Sequence, residues 1–238
     1  MNIVRKLLTI LAALTAINCH AAEELILTAQ NKDGEAYPYI LNYENLAPKY
    51  VIILFPGGDG NMNPRMQDGK LVYGYKGNFV IKARKYLVDD EFATVATNST
   101  QSTERIQAII SDIYKRFPQS RIYLMGTSKG TFDTMALAGY LSDKIAGVIH
   151  TSSLNQISTL DAKQFKNRQL IVHHKNDTCK VTPFYSAEAA NKKYGTELIV
   201  MEGGISVGDL CEPLAHHGFN GIVKETVDRI KDWIRQGK

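Results

Sequence analysis

The chain is poor in cysteine, proline and tryptophan, with three, seven and one among its 238 residues. Three cysteines cannot build the dense disulfide framework of a small secreted scaffold, and a chain of this length can form a core without one. Pro, Gly and Ser nowhere gather into a linker, and there is no internal repeat or low-complexity tract. That excludes a solenoid and gives no reason to divide the chain. No apolar run reaches the roughly 20 residues of a membrane-crossing helix, so stable membrane insertion is not expected. Excess charge is small, since 28 Lys and Arg stand against 24 Asp and Glu. The basic residues form no stripe with interleaved aromatics, so nucleic acid is not an expected partner.

The amino terminus has the marks of an export segment. Arg5 and Lys6 form a short basic stretch, Leu7 to Ile17 is almost unbroken apolar, and Ala21-Ala22 offers small residues for cleavage. This is the order of a cleaved secretory signal, expected over residues 1–21 and followed by one domain over 22–238. The expected location is therefore periplasmic or secreted. Removing the segment takes Cys19 with it and leaves Cys179 and Cys211. In an oxidising compartment such a pair suggests a disulfide, with two free thiols as the alternative.

Strand-like and helix-like segments then alternate. Leu25–Ala29 and Tyr37–Tyr43 read as a leading β-pair, and Tyr50–Phe55 as a strand buried on both faces. Helical spacing follows over 79–87, 102–117, 130–141, 183–194 and 222–234, and strands over 92–97, 121–125, 146–151, 169–173 and 197–201. Ser102 or Thr103 can cap the second helix. This order predicts an α/β fold with a mostly parallel central sheet and helices on both faces. In such sheets the ligand site lies at the carboxyl ends of the strands. The segment Asn61–Tyr75, with Met62, Met66 and Tyr73, reads as either the rim of a pocket or a surface loop.

Gly126-Thr127-Ser128-Lys129-Gly130 matches G-x-S-x-G between a strand and a helix, the context in which that pattern presents a nucleophilic serine. A serine hydroxyl needs a base, and the base needs an orienting acid. Asp177 falls in the loop after the 169–173 strand, where the acid belongs, and Asp161 is a worse-placed rival. The histidine belongs after the last strand, where His216 and His217 stand together. His217 is favoured because Gly218 frees the backbone to present it, while His216 stays open. His150, His173 and His174 read as wall or packing residues. For the oxyanion, the backbone N–H of Lys129 is one expected donor, and Gly58 or Asp59 in Pro56-Gly57-Gly58-Asp59-Gly60 supplies the other. A disulfide between Cys179 and Cys211 would tie the acid loop to the histidine loop. A metal set of His173, His174, Asp177 and Cys179 is disfavoured, because adjacent strand residues point to opposite faces. No metal or cofactor is expected.

These residues resemble the α/β-hydrolase superfamily. The stretches G-N-F-V-I-K-A-R at 77–84, H-H-K-N-D-T-C at 173–179 and C-E-P-L-A-H-H-G-F at 211–219 are similar to a group of small exported bacterial α/β-hydrolases. The resemblance covers about residues 47–237. It implies Ser128, Asp177 and His217 as a triad and the cysteine pair as a disulfide. The chain departs from that pattern at Asn98-Ser99-Thr100, where an aspartate-containing loop is expected. The expected activity is cleavage of an ester-like acyl bond in a small or soluble substrate. A small peptidase or amidase, or a binding protein without turnover on the same fold, are the alternatives. Between Ser128 and Asp177 there is room for one strand and little more, so no large lid is expected. Oligomeric state is not legible in the sequence.

Overall fold

The computed structural model describes residues 22–237, so the expected export segment, residues 1–21, lies outside the described residues. Strands β1 (Glu23–Gln30) and β2 (Ala36–Tyr43) form an antiparallel pair. In the turn between them, Asn31 Oδ1 accepts the amides of Asp33 and Glu35 at 3.0 and 2.9 Å. Then come β3 (Tyr50–Phe55), a small hairpin of β4 (Arg65–Gln67) and β5 (Lys70–Val72), α1 (Phe79–Leu87), β6 (Phe92–Ala96) and α2 (Thr103–Arg116). The second half is β7 (Arg121–Ser128), α3 (Gly130–Tyr140), β8 (Gly147–Ser153), β9 (Arg168–His174), α4 (Phe184–Tyr194), β10 (Glu197–Met201) and α5 (Val223–Gln236). Ser102 caps α2, its hydroxyl accepting the Arg105 amide at 3.2 Å. Two of these elements go beyond the sequence expectation. Strand β7 continues through Ser128, and a hairpin sits inside the 61–75 segment. The hairpin turns at Asp68-Gly69, both at positive φ, a pair whose backbone freedom suits a two-residue turn.

The main sheet has eight strands in the order β1-β2-β6-β3-β7-β8-β9-β10. The β1–β2 and β2–β6 pairings are antiparallel and all the others parallel, so β2 alone runs against the rest. Alternation along β3 divides the core. Ile52 and Leu54 join α1 and α5 through Phe79, Leu87, Val227, Ile230 and Ile234. Val51, Ile53 and Phe55 join α2 and α3 on the other face, through Ile106, Ile109, Ile113 and Leu137. Every residue of β3 after Tyr50 is buried, as a strand covered by helices on both faces requires. From β3 the chain crosses to β6 on one side and returns to β7 on the other. The crevice at such a reversal opens beyond the carboxyl ends of β3 and β7, which sets the place of the site.

One polar knot lies inside this core. His150 on β8 is fully buried; its Nε2–H donates to Gln169 Oε1 at 3.0 Å, and its Nδ1 lies 3.1 Å from the Thr134 hydroxyl. Burial pushes its pKa down to about 4, partly opposed by the Gln169 hydrogen bond. In the unfolded chain the ring takes its proton near 6.5. Between these values the unfolded state binds more protons, so folding stability falls as the pH drops through the window. Denaturant titrations at pH 7 and pH 4 should therefore show a loss of about 3 kcal/mol from this residue. In His150→Leu that share of the acid sensitivity should be absent, although the variant starts from lower stability.

Candidate active site

Ser128 stands at a closely packed turn. Its φ is +52°, a left-handed conformation for a residue with a Cβ. The β7–β8 ladder shifts register between Thr127 and Ser128, so the strand peels away where the serine stands. Helix α3 starts two residues later, and its Thr131 hydroxyl donates back to the Ser128 carbonyl at 2.6 Å. The flanking glycines are a steric demand. A Cβ at 126 would come 2.5 Å from the Gly130 carbonyl oxygen, and one at 130 would overlap the carbonyl oxygen of Phe55. The strand-turn-helix therefore closes against β3 with no room for side chains at either position.

Asp177 lies just beyond β9, only 5% exposed. Its Oδ2 accepts from His217 Nδ1–H at 3.0 Å and from the Thr182 hydroxyl at 3.2 Å, and its Oδ1 accepts the Cys179 amide at 3.0 Å. His173 Nε2 stands 3.3 Å from the same Oδ2. Burial alone would raise this carboxyl, but hydrogen bonds from His173 and His217, and the charge those rings can carry, hold it well below the usual carboxylate range. Asp161, the rival acid, instead accepts the Lys163 amide at 3.1 Å in a short turn before β9.

His217 is 7% exposed and shares a cleft of about 300 Å³ with Ser128, Thr127, Gly57, Gly58, Tyr75 and Phe79. No hydrogen bond joins the Ser128 hydroxyl to the His217 ring among the described residues; such contacts commonly close only with substrate in place. The His217 backbone is held by β8, since the hydroxyl of buried Ser152 donates to the His217 carbonyl at 2.7 Å. His216 goes elsewhere and stacks on His174 at 4.2 Å between ring centroids. His174 in turn uses Nε2 on the Gly203 carbonyl and Nδ1 on the Asn176 amide. His173 Nε2 instead meets the Thr182 carbonyl, and Cys179 is joined to Cys211.

Gly58 lines the cleft at φ +65°, and neither its amide nor that of Lys129 has a protein acceptor among the described residues. The Asp59 amide, the other expected donor of this loop, is engaged with the Tyr75 hydroxyl at 3.1 Å. Tyr75, itself at positive φ, also donates that hydroxyl to the Asp59 carboxylate. The bond holds the Asp59 carboxyl below its ordinary range and pushes the phenol up. From the expected loop pair, only Gly58 is therefore open to the cleft. On the far side, the Ser99 hydroxyl donates to the Pro56 carbonyl at 2.5 Å, and Asn98 Oδ1 accepts the Asn63 amide at 3.0 Å. The departure at Asn98-Ser99-Thr100 is thus a brace for the glycine loop. Of the expected rim residues, Met62 is buried in the core, Met66 is exposed, and Tyr73 packs on Arg84; Tyr75 is the member of that segment that reaches the cleft. Thr182, Ser152 and Tyr75 carry no sequence pattern that marks them, because each is recruited through space.

Structural neighbours agree with this architecture. The esterase domain of a Rhodothermus marinus protein superposes with a TM-score of 0.60 at 12% identity, over 90% of this chain and 98% of that one. Dienelactone hydrolase from Anabaena variabilis gives 0.64 at 11% identity, over 91% and 99%. A lidless serine hydrolase from Xanthomonas campestris gives 0.56 at 13% identity, over 87% and 95%. No family model matches the sequence, and no curated protein matches it. The chain has the α/β-hydrolase fold, and no lid stands over the cleft among the described residues.

The Cys179–Cys211 bond closes 32 residues and places Cys211, Glu212 and Pro213 in the wall of the cleft. By loop entropy, replacing both cysteines with serine should cost about 3–4 kcal/mol. A guanidinium titration of that double variant against the parent, with the parent's thiols counted before and after reduction, measures it. An unchanged midpoint would remove the bond from the structural account.

Proposed function

We propose that the protein is a serine hydrolase that cleaves ester-like acyl bonds of small or soluble substrates through an acyl-enzyme. The reading is carried by one juxtaposition. A serine strained into the left-handed region at a strand-to-helix turn shares a cleft with a histidine whose Nδ1–H is held by a buried carboxylate. In this reading Ser128 Oγ attacks the acyl carbon while His217 Nε2 takes its proton. Asp177 keeps the ring in the Nδ1–H tautomer and stabilises its charged form. His217 then returns the proton to the leaving oxygen, and water releases the acyl group by the same route. The amides of Lys129 and Gly58 receive the developing oxyanion, with the amino end of α3 adding its partial positive charge. A cleft of about 300 Å³ is at the lower end of the range for small-molecule sites, which favours a compact acyl group. The disulfide and the amino-terminal sequence together support export, with the mature chain starting near Ala22.

A fluorophosphonate probe should label Ser128, and Ser128→Ala should abolish both labelling and p-nitrophenyl acetate hydrolysis, a loss of roughly ten-thousandfold or more. Hydrolysis persisting in that variant would end the reading. Peptide anilides run in the same assay separate ester from amide preference. Tyr75→Phe should reduce kcat about tenfold with little change in KM, because the Gly58-Asp59 turn loses the hydroxyl that sets it beside the cleft. An unchanged kcat would show that the turn holds its own shape.

A further inference from the structure

We propose that His173 is a positioning residue of this site: its Nε2–H, shared between the Asp177 carboxylate and the Thr182 carbonyl, fixes the carboxylate and the turn that together hold the His217 ring. The inference rests on the hydrolase reading above and assigns a role to a side chain that reading does not use. His173 is fully buried on β9, four residues before Asp177. Nε2 lies 2.9 Å from the Thr182 carbonyl oxygen and 3.3 Å from Asp177 Oδ2. Both are pure acceptors, so Nε2 carries the proton. Nδ1 is buried with no hydrogen-bond partner among the described residues. A buried polar atom left unpaired costs stability that an apolar ring of the same shape would not. Packing alone therefore gives no reason for an imidazole beside Phe184, whose ring stands 6.0 Å away. What an apolar ring lacks is the N–H.

That N–H acts at two points that converge on one atom. Thr182 gives its carbonyl to His173 and its hydroxyl to Asp177 Oδ2, and the same hydroxyl lies 3.0 Å from His217 Nδ1. Asp177 Oδ2 thus gathers His217, Thr182 and His173, while Oδ1 is held by the Cys179 amide. With His173 in place the carboxylate has no free rotation about its last bond, and the turn 179–182 cannot lift away from β9. The second donor also draws on the lone pairs of the oxygen that His217 uses. The titratable groups facing Asp177 are His173, His217 and, at longer range, His174.

The test compares His173→Phe, which keeps the ring and removes the N–H, with His173→Gln, whose amide N–H can reach the same acceptors. In His173→Phe, kcat for p-nitrophenyl acetate should fall at least about tenfold with KM nearly unchanged, and the acid limb of kcat/KM should move to higher pH, because Asp177 loses a competing donor and binds the His217 proton more tightly. His173→Gln should recover most of kcat and restore the limb. The proton resonance of the His217 Nδ1–H should move in His173→Phe and return in His173→Gln, a readout independent of turnover. If both variants lose stability alike while kcat, acid limb and resonance stay with the parent, His173 only packs and the inference falls. If His173→Phe does not fold, His173→Leu takes its place, and parental kcat with a parental Nδ1–H resonance in that variant overturns the role, while loss of both that His173→Gln recovers supports it. A parent protein that neither hydrolyses esters nor labels at Ser128 removes the hydrolase reading, whereas the resonance still reports whether His173 holds the carboxylate.

Discussion

A buried carboxylate organises the cleft end of this molecule. Asp177 is almost wholly out of water, and a charge in that position is tolerated only when donors surround it. Here the donors come from separate parts of the chain: His173 on β9, the Cys179 amide and Thr182 hydroxyl from the following turn, and His217 from the segment before α5. Satisfying one side chain therefore fixes three segments at once. The disulfide adds a covalent limit from the same turn to Cys211, so the loop that carries His217 is tied to the loop that carries Asp177.

The serine side of the cleft is ordered by contact where the acid side is ordered by charge. Gly126 and Gly130 let β7 and α3 meet against the carbonyl of Phe55, which forces Ser128 into its strained backbone. The neighbouring glycine loop is braced from both flanks, by Tyr75 on one and by Asn98 and Ser99 on the other. Both devices place rigid backbone at the point where β3 and β7 part. A site for charge development needs donors already aimed before the reaction, and rigid backbone supplies that without reorganisation.

Much of the fold was legible because the apolar pattern is strong. Tyr50–Phe55 could only be a doubly buried strand, and the spacing of Ile106, Ile109, Ile110 and Ile113 could only face a core. Within the candidate site, Ser128 was legible because its glycines are local steric requirements that leave a pattern in the sequence. Asp177 and His217 were singled out by position, as loop residues after particular strands, and the structure brings their side chains into contact. The choice of His217 over His216 rested on one following glycine; in the structure the ring of His217 meets Asp177 and that of His216 stacks on His174. Asp59 and Gly58 could not be separated in sequence, since what divides them is a hydroxyl 16 residues away in Tyr75.

The sequence by itself determined the alternation of strands and helices and the glycine-flanked serine turn, because each depends on neighbours along the chain, whereas it left the two cysteines as either a pair or free thiols. Only the tertiary structure decided what His173, Thr182, Ser152, Tyr75 and Ser99 do. Their partners are brought to them by sheet order and loop packing, and a hydrogen bond between distant residues leaves no periodicity or spacing to read.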